Sequence, residues 1–85
     1  MAAYRVLITR SAEKGIEHLP VGIRRLVVRR IHALADDPRP HGSQRLTGED
    51  KYRIRQGNDR VVYTIEDAIV TVTVVRVAHR SDVYR

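Results

Sequence analysis

The sequence predicts an α+β domain in which a helical hairpin covers one face of a mostly antiparallel, four-stranded sheet. Helical periodicity is confined to the first half of the chain, and runs rich in β-branched residues dominate the second half. The resulting order, β-α-α-β-β-β, bunches three strands at the end, which favours antiparallel pairing. The chain has 85 residues and no internal repeat, so residues 1–85 are expected to form a single domain.

The N-terminal part predicts one strand and one short helix. Residues 4–9, YRVLIT, are rich in β-branched and aromatic side chains and are typical of a strand. Ser11 is a candidate N-cap for the helix that follows. Ile16 and Leu19 would be the buried positions of that helix, which is expected to end before Pro20.

The clearest helix is expected at residues 23–35. Its apolar residues repeat at helical spacing and form one stripe, namely Ile23, Val27, Ile31 and Leu34. Arg25, Arg29 and His32 fall on the opposite side, most simply as a solvated face. Arg24 lies at the edge of the stripe, where a long side chain can reach solvent while its stem stays packed.

Residues 36–50 contain two prolines and two glycines and are expected to form a long loop. Three strands are predicted after it, at residues 51–56, 60–66 and 69–78. The first two flank Gly57, Asn58 and Asp59, which form a favourable hairpin turn.

Period-two alternation separates apolar from basic side chains in these strands. Tyr52, Ile54 and Tyr63 fall on the face that the helices would cover. The opposite face is expected to be open, concave and basic, with Lys51, Arg53, Arg55 and Arg60 on it.

The last predicted strand is apolar on both faces, as a central strand would be. Its polar positions include Thr71 and Thr73, and the same alternation continues to His79, which is therefore expected on the arginine face. Simple alternation places Arg76 on the opposite face, among the apolar residues. Two explanations stay open: Arg76 emerges at the edge of the sheet, or a bulge turns its side chain to the other face.

The charge balance indicates an anionic partner. The formal net charge is +6, and arginine supplies nearly all of the positive charge. Its planar guanidinium fits phosphate, which favours nucleic acid; a solvated surface with a bias toward arginine is the alternative.

The chain has no cysteine, which excludes disulfides and thiolate metal sites. Without a leader or a long apolar run, it is expected to be cytoplasmic and independent of membranes.

The arginines, His79 and Tyr84 together suit phosphate chemistry. Arginines can neutralise a pentacovalent phosphate, a histidine can exchange a proton near neutral pH, and a tyrosine can stack on a base or donate a hydrogen bond. For single residues the plainer alternatives are a solvated strand end for His79 and a hydrophobic anchor for Tyr84. Tyr52 and Tyr63 are expected to pack in the core.

Three stretches of the chain, RLTGEDKYRIR, YRIRQGNDRVVYTI and VTVVRVAHRSDVYR, resemble the RelE/ParE toxin superfamily, in particular its RelE branch. The resemblance covers nearly the whole chain. It implies a toxin of a type II toxin–antitoxin system that cuts mRNA in the ribosomal A site. In that reaction the 2′-hydroxyl attacks the adjacent phosphate, and neither metal nor other cofactor is needed.

The resemblance also implies which residues form the site. The basic pair of the family falls on Arg53 and Arg55, and the basic positions that follow it fall on Arg60 and Arg80. His79 stands beside Arg80, and the C-terminal tyrosine of the family falls on Tyr84. RNA contacts are expected from Lys51, Arg45, Arg76 and Arg85. Because arginine does not readily lose its proton, either the role of general base passes to His79 or the activity is expected to be weaker.

The partners implied by the resemblance are the 70S ribosome with its mRNA and a cognate antitoxin. The antitoxin would cover the toxin with an amphipathic segment, and the complex would bind operator DNA through the antitoxin. Two alternatives stay open: a ParE-like inhibitor of gyrase, and a degenerate member that acts only as a binding partner.

Overall fold

The structure is a computed structural model that describes residues 3–79. Two helices pack on one face of a five-stranded sheet. The helices are α1, Arg10–Glu17, and α2, Val21–Ala33. The strands are β1, Arg5–Ile8; β2, Gln44–Arg45; β3, Tyr52–Gln56; β4, Asp59–Glu66; and β5, Thr71–His79. Neither of these helices is long and apolar enough to cross a membrane.

The sheet confirms the predicted class and corrects the predicted number of strands. Its order is β1-β5-β4-β3-β2. β1 runs parallel to β5, and the remaining neighbours are antiparallel. The sheet has five strands rather than four because Gln44 and Arg45, in the segment predicted to be a loop, pair with Arg53 and Tyr52.

Helix α1 is capped by Thr9 rather than by Ser11. The Thr9 hydroxyl oxygen accepts a hydrogen bond from the Ala12 amide at 3.2 Å and donates one to the Val75 carbonyl at 3.1 Å. The Thr9 amide also donates to the Val74 carbonyl at 2.9 Å. This cap therefore satisfies an amide at the start of α1 and ties the helix to β5.

Helix α2 begins at Val21, two residues before the predicted start, and ends at Ala33. Three of the four residues of the predicted stripe are buried, namely Val27, Ile31 and the C-cap residue Leu34. Ile23 is 39% exposed, because the first turn of α2 borders a surface groove. Arg24 reaches back to α1, and its Nη2 donates hydrogen bonds to the carbonyls of Glu17 and Leu19 at 3.0 and 3.1 Å. It thereby satisfies carbonyl groups that the end of a helix leaves without partners.

The core lies between the two helices and the sheet, and Tyr63 is at its centre. Tyr63 is fully buried, as expected, and its ring stacks on that of Tyr52 with 6.0 Å between centroids. Its hydroxyl donates a hydrogen bond to the Pro38 carbonyl at 2.8 Å. Burial raises the pKa of Tyr63 to about 12, so this side chain remains a neutral donor that fixes the start of the segment leading to β2.

Candidate active site

Four arginines, the arginine cluster, lie on the face of the sheet opposite the helices: Arg53, Arg55, Arg60 and Arg76. Strand pairing sets their positions, since residues paired across neighbouring strands point to the same face. Arg55 is directly opposite Arg60, and Arg53 is opposite Val62, which is in turn opposite Arg76. Like charges directly opposite each other destabilise a sheet, whereas a bound polyanion would offset that repulsion because it attracts both guanidinium groups.

A β-bulge at Val75 brings Arg76 into this cluster. Val62 pairs with Arg76 and Tyr63 pairs with Val74, so β5 has one residue more than β4 at this point. The extra residue reverses the alternation in the remainder of β5. The bulge is thus the explanation for Arg76, one of the two that the sequence left open.

The same bulge moves His79 to the other face, so the expectation that it shares the arginine face is wrong. His79 pairs with Asp59, two positions beyond the buried pair of Val61 and Val77. Positions two apart in a strand share a face, and here that face is the one covered by the helices. His79 accordingly borders the groove formed with the helices.

Two members of the arginine cluster, Arg60 and Arg76, line a cleft of about 360 Å³. Lys51, Arg60 and Arg76 supply its basic side chains, and Val62 and Ala78 are among its apolar lining. This volume is on the scale of a site for a small ligand. The cleft therefore combines positive charge with an apolar surface, which suits contact with a phosphate and an adjoining base.

The other residues expected to bind RNA differ in position. Arg45 pairs with Tyr52 and so lies on the helix side of the sheet, where its guanidinium is 3.7 Å from the Asp50 carboxylate. Gln44 takes its place beside the cluster, since its side-chain oxygen accepts a hydrogen bond from Arg53. Gln44 had no periodic pattern around it to single it out. Arg80, Tyr84 and Arg85 lie outside the described residues.

A network of polar side chains holds the segment before β2 against the body of the domain. The Arg39 guanidinium donates two hydrogen bonds to the Asp67 carboxylate, at 2.9 and 3.3 Å, and lies 5.3 Å from the centre of the Tyr52 ring. The Tyr4 hydroxyl donates to Asp67 at 2.7 Å. The hydrogen bonds from Arg39, followed by that from Tyr4, lower the pKa of Asp67. The network holds Arg39 beside Tyr52. It thereby connects the two ends of residues 39–52, the segment that contains Gln44.

Asp67→Asn is expected to lower the melting temperature at pH 7 but to have little effect in acid. Because the pKa of Asp67 in the folded state lies below its usual 3.8, its contribution to stability is complete above that value and is lost as the pH falls through the folded-state pKa. The measurement is thermal unfolding of wild type and variant at neutral and acidic pH. A difference in melting temperature that stays constant below pH 3.8 would show that Asp67 does not act as a carboxylate.

Known proteins are similar to this chain in both sequence and fold. The family described as the ParE toxin of the type II toxin–antitoxin system parDE matches residues 6–84. The curated toxin RelG of Mycobacterium tuberculosis is 34% identical over 86 residues, which cover 96% of this chain and 97% of that protein.

Solved structures extend the comparison. The toxin–antitoxin complex RelBE2 of M. tuberculosis contains a chain that matches with a TM-score of 0.84 and 32% identity, over 96% of this chain and 97% of that one. A chain of the intact Escherichia coli RelBE complex matches with a TM-score of 0.78 and 26% identity, over 91% and 96% of the two chains. With the match over residues 6–84, these likenesses show that the chain belongs to the RelE/ParE superfamily of type II toxins.

Proposed function

We propose that this toxin is a ribosome-dependent endonuclease that cuts mRNA. The observation that carries the proposal is the arginine cluster, which strand pairing and the β5 bulge assemble on the face away from the helices. Arginine forms bidentate hydrogen bonds with phosphate oxygens and keeps its charge at any physiological pH. The activity is the one that the resemblance to RelE-like toxins implies.

The proposed reaction is attack of a 2′-hydroxyl on the adjacent phosphorus. The new bond from the 2′-oxygen forms as the bond to the 5′-oxygen breaks, leaving a 2′,3′-cyclic phosphate and a 5′-hydroxyl. The 2′-hydroxyl loses its proton to solvent water, and the departing 5′-oxygen gains one. Arg53, Arg55 and Arg60 would stabilise the extra negative charge on the pentacovalent phosphate.

Proton transfer is the part of the reaction that the arginines do not perform, because a guanidinium does not give up its proton. His79 lies on the other face of the sheet, so it takes no part in the proposed proton transfer. Proton donation to the leaving oxygen is assigned to Tyr84, with Arg80 holding the phosphate, and further RNA contacts are assigned to Lys51 and Arg85.

The proposed partners are the ribosome with its mRNA and an antitoxin. Solved relatives from M. tuberculosis, Pyrococcus horikoshii and E. coli are described as complexes of a RelE-type toxin with its RelB antitoxin. We assign a RelB-like antitoxin to this toxin, with operator DNA bound through the antitoxin.

Inhibition of gyrase is the second candidate, favoured by the match to the family described as ParE toxin. A gyrase inhibitor requires a surface that binds protein. It does not require a cluster of arginines that binds phosphate. The two candidates therefore predict different damage in the cell.

Expression without antitoxin distinguishes them. We expect growth arrest, new mRNA 5′ ends within translated reading frames, and unchanged plasmid supercoiling. A reporter transcript without its start codon is the control, and it should remain intact because it does not enter the ribosome. Broken DNA together with intact mRNA would reject the nuclease and support the gyrase inhibitor.

A further inference from the structure

A second concave surface, the helix-side groove, lies across β5 from the arginine cleft. It has a volume of about 760 Å³ and is formed by the α1–α2 connection, the β3–β4 turn and the end of β5. Leu19, Ile23 and Leu26 supply apolar surface to it, and Ile23 and Leu26 are 39% and 44% exposed. Exposed apolar side chains grouped beside polar ones are typical of a surface that a protein partner covers.

Asp59 lines this groove and is only 2% exposed. Within residues 3–79, no group donates a hydrogen bond to its Oδ1 atom, which is buried. A carboxylate oxygen that is removed from water without a donor costs the folded chain stability. A donor supplied by a molecule seated in the groove would remove that cost, so the groove favours an occupant with a hydrogen-bond donor.

The chemistry of the groove selects a protein segment with a basic side chain. Arg76 also lines the groove, but a phosphate placed at Asp59 would be repelled by the carboxylate, whereas arginine or lysine forms its strongest hydrogen bonds with such a group. The toxin carries a net charge of +6, so acidic residues of a partner are attracted to it in many alternative positions. One basic residue paired with Asp59 would instead fix a single position, and this is how charge complementarity provides specificity.

We propose that Asp59 anchors the antitoxin by accepting a hydrogen bond from an antitoxin arginine or lysine, flanked by apolar side chains that cover Ile23 and Leu26. This inference rests on the antitoxin partner of the proposed function and names the toxin residue that selects it. Arg76 and Ala78 line both the groove and the arginine cleft. A segment held at Asp59 can therefore continue across the end of β5 and cover the arginine cluster.

Asp59→Asn tests this anchor, because it removes the charge and keeps the shape of the side chain. The free variant is expected to melt at or above the wild-type temperature, since a buried charge without a donor is removed. Its dissociation constant for the antitoxin encoded beside this toxin is expected to rise about ten- to a hundredfold, the range for losing a hydrogen bond to a charged group. The measurements are thermal unfolding of the free toxin and calorimetric titration with the antitoxin.

Asp36→Asn is the matched control, because it makes the same chemical change at an exposed position and should leave both measurements unchanged. Wild-type affinity of Asp59→Asn would overturn the anchor alone. A variant that loses stability and affinity together would show that Asp59 is structural, which also overturns it. If the wild-type toxin itself fails to bind the antitoxin, the partner assigned under the proposed function falls, and the anchor falls with it.

A double-mutant cycle then identifies the basic residue. Each arginine and lysine of the antitoxin is changed to glutamine and titrated against wild-type and Asp59→Asn toxin. One change is expected to weaken binding to wild type and to have no further effect on the variant. If every change weakens binding to both toxins equally, no basic residue pairs with Asp59 and the proposal is wrong.

Discussion

Arg60→Ala is expected to slow single-turnover cleavage of mRNA on programmed ribosomes by about 10²–10³-fold, the usual effect of removing one preorganised donor from a developing negative charge. Arg60 is half-buried, lies opposite Arg55 in the register and lines the cleft in which the phosphate is proposed to bind. Binding to the ribosome should weaken much less, because many other basic residues share the attraction to RNA. The loss should therefore appear in the rate at saturating toxin concentration.

Two further variants separate geometry from charge. Arg60→Lys keeps the charge but loses the planar fork, and we expect it to restore only part of the rate. Arg25→Ala removes the same charge from an exposed position on α2, away from the cluster, and should cleave within about threefold of wild type, far below the loss expected at a donor in the site. If Arg60→Ala cleaved at the wild-type rate, Arg60 would not belong to the active site.

The arginines of β3 and β4 could be placed on the correct face from the sequence, whereas the arginine of β5 could not. β3 and β4 pair without interruption from the hairpin turn to Tyr52 and Tyr63, so simple alternation placed Arg53, Arg55 and Arg60 correctly. In β5 the bulge at Val75 adds one residue, and every side chain beyond it changes face. Nothing in the run of valines before Arg76 marks that position, so the exchange of Arg76 and His79 between faces emerged only from the pairing with β4.

Long-range contacts explain most of the other differences. Local preference ranks serine above threonine as an N-cap, but Thr9 is used because its hydroxyl also donates a hydrogen bond to β5. A strand of two residues is too short to show alternation, so β2 could not be separated from the surrounding loop. The pairing of Arg39 with Asp67 joins distant parts of the chain and leaves no local pattern to recognise.

Gly15→Ala is expected to lower the free energy of unfolding by about 3 kcal/mol, the upper part of the usual range for overpacking. A Cβ atom at Gly15 would overlap the backbone oxygen of Val77 and lie 2.9 Å from its carbonyl carbon. A backbone carbonyl in the sheet cannot turn aside as a flexible side chain can, so α1 would have to move away from β5. The two hydrogen bonds from Thr9 to Val74 and Val75 oppose that movement.

Gly22→Ala provides the matched control, because a Cβ there meets nothing within 4 Å and alanine favours a helix over glycine by up to about 1 kcal/mol. The two variants make the same chemical change in neighbouring helices, and we expect opposite signs in thermal unfolding. For a domain of this size, a loss of about 3 kcal/mol corresponds to a decrease of roughly 12–24 °C in melting temperature. Because the contact holds α1 beside the bulge that positions Arg76, folded Gly15→Ala is also expected to cleave mRNA more slowly than Gly22→Ala. Equal melting temperatures for the two variants would mean that α1 does not pack this closely against β5.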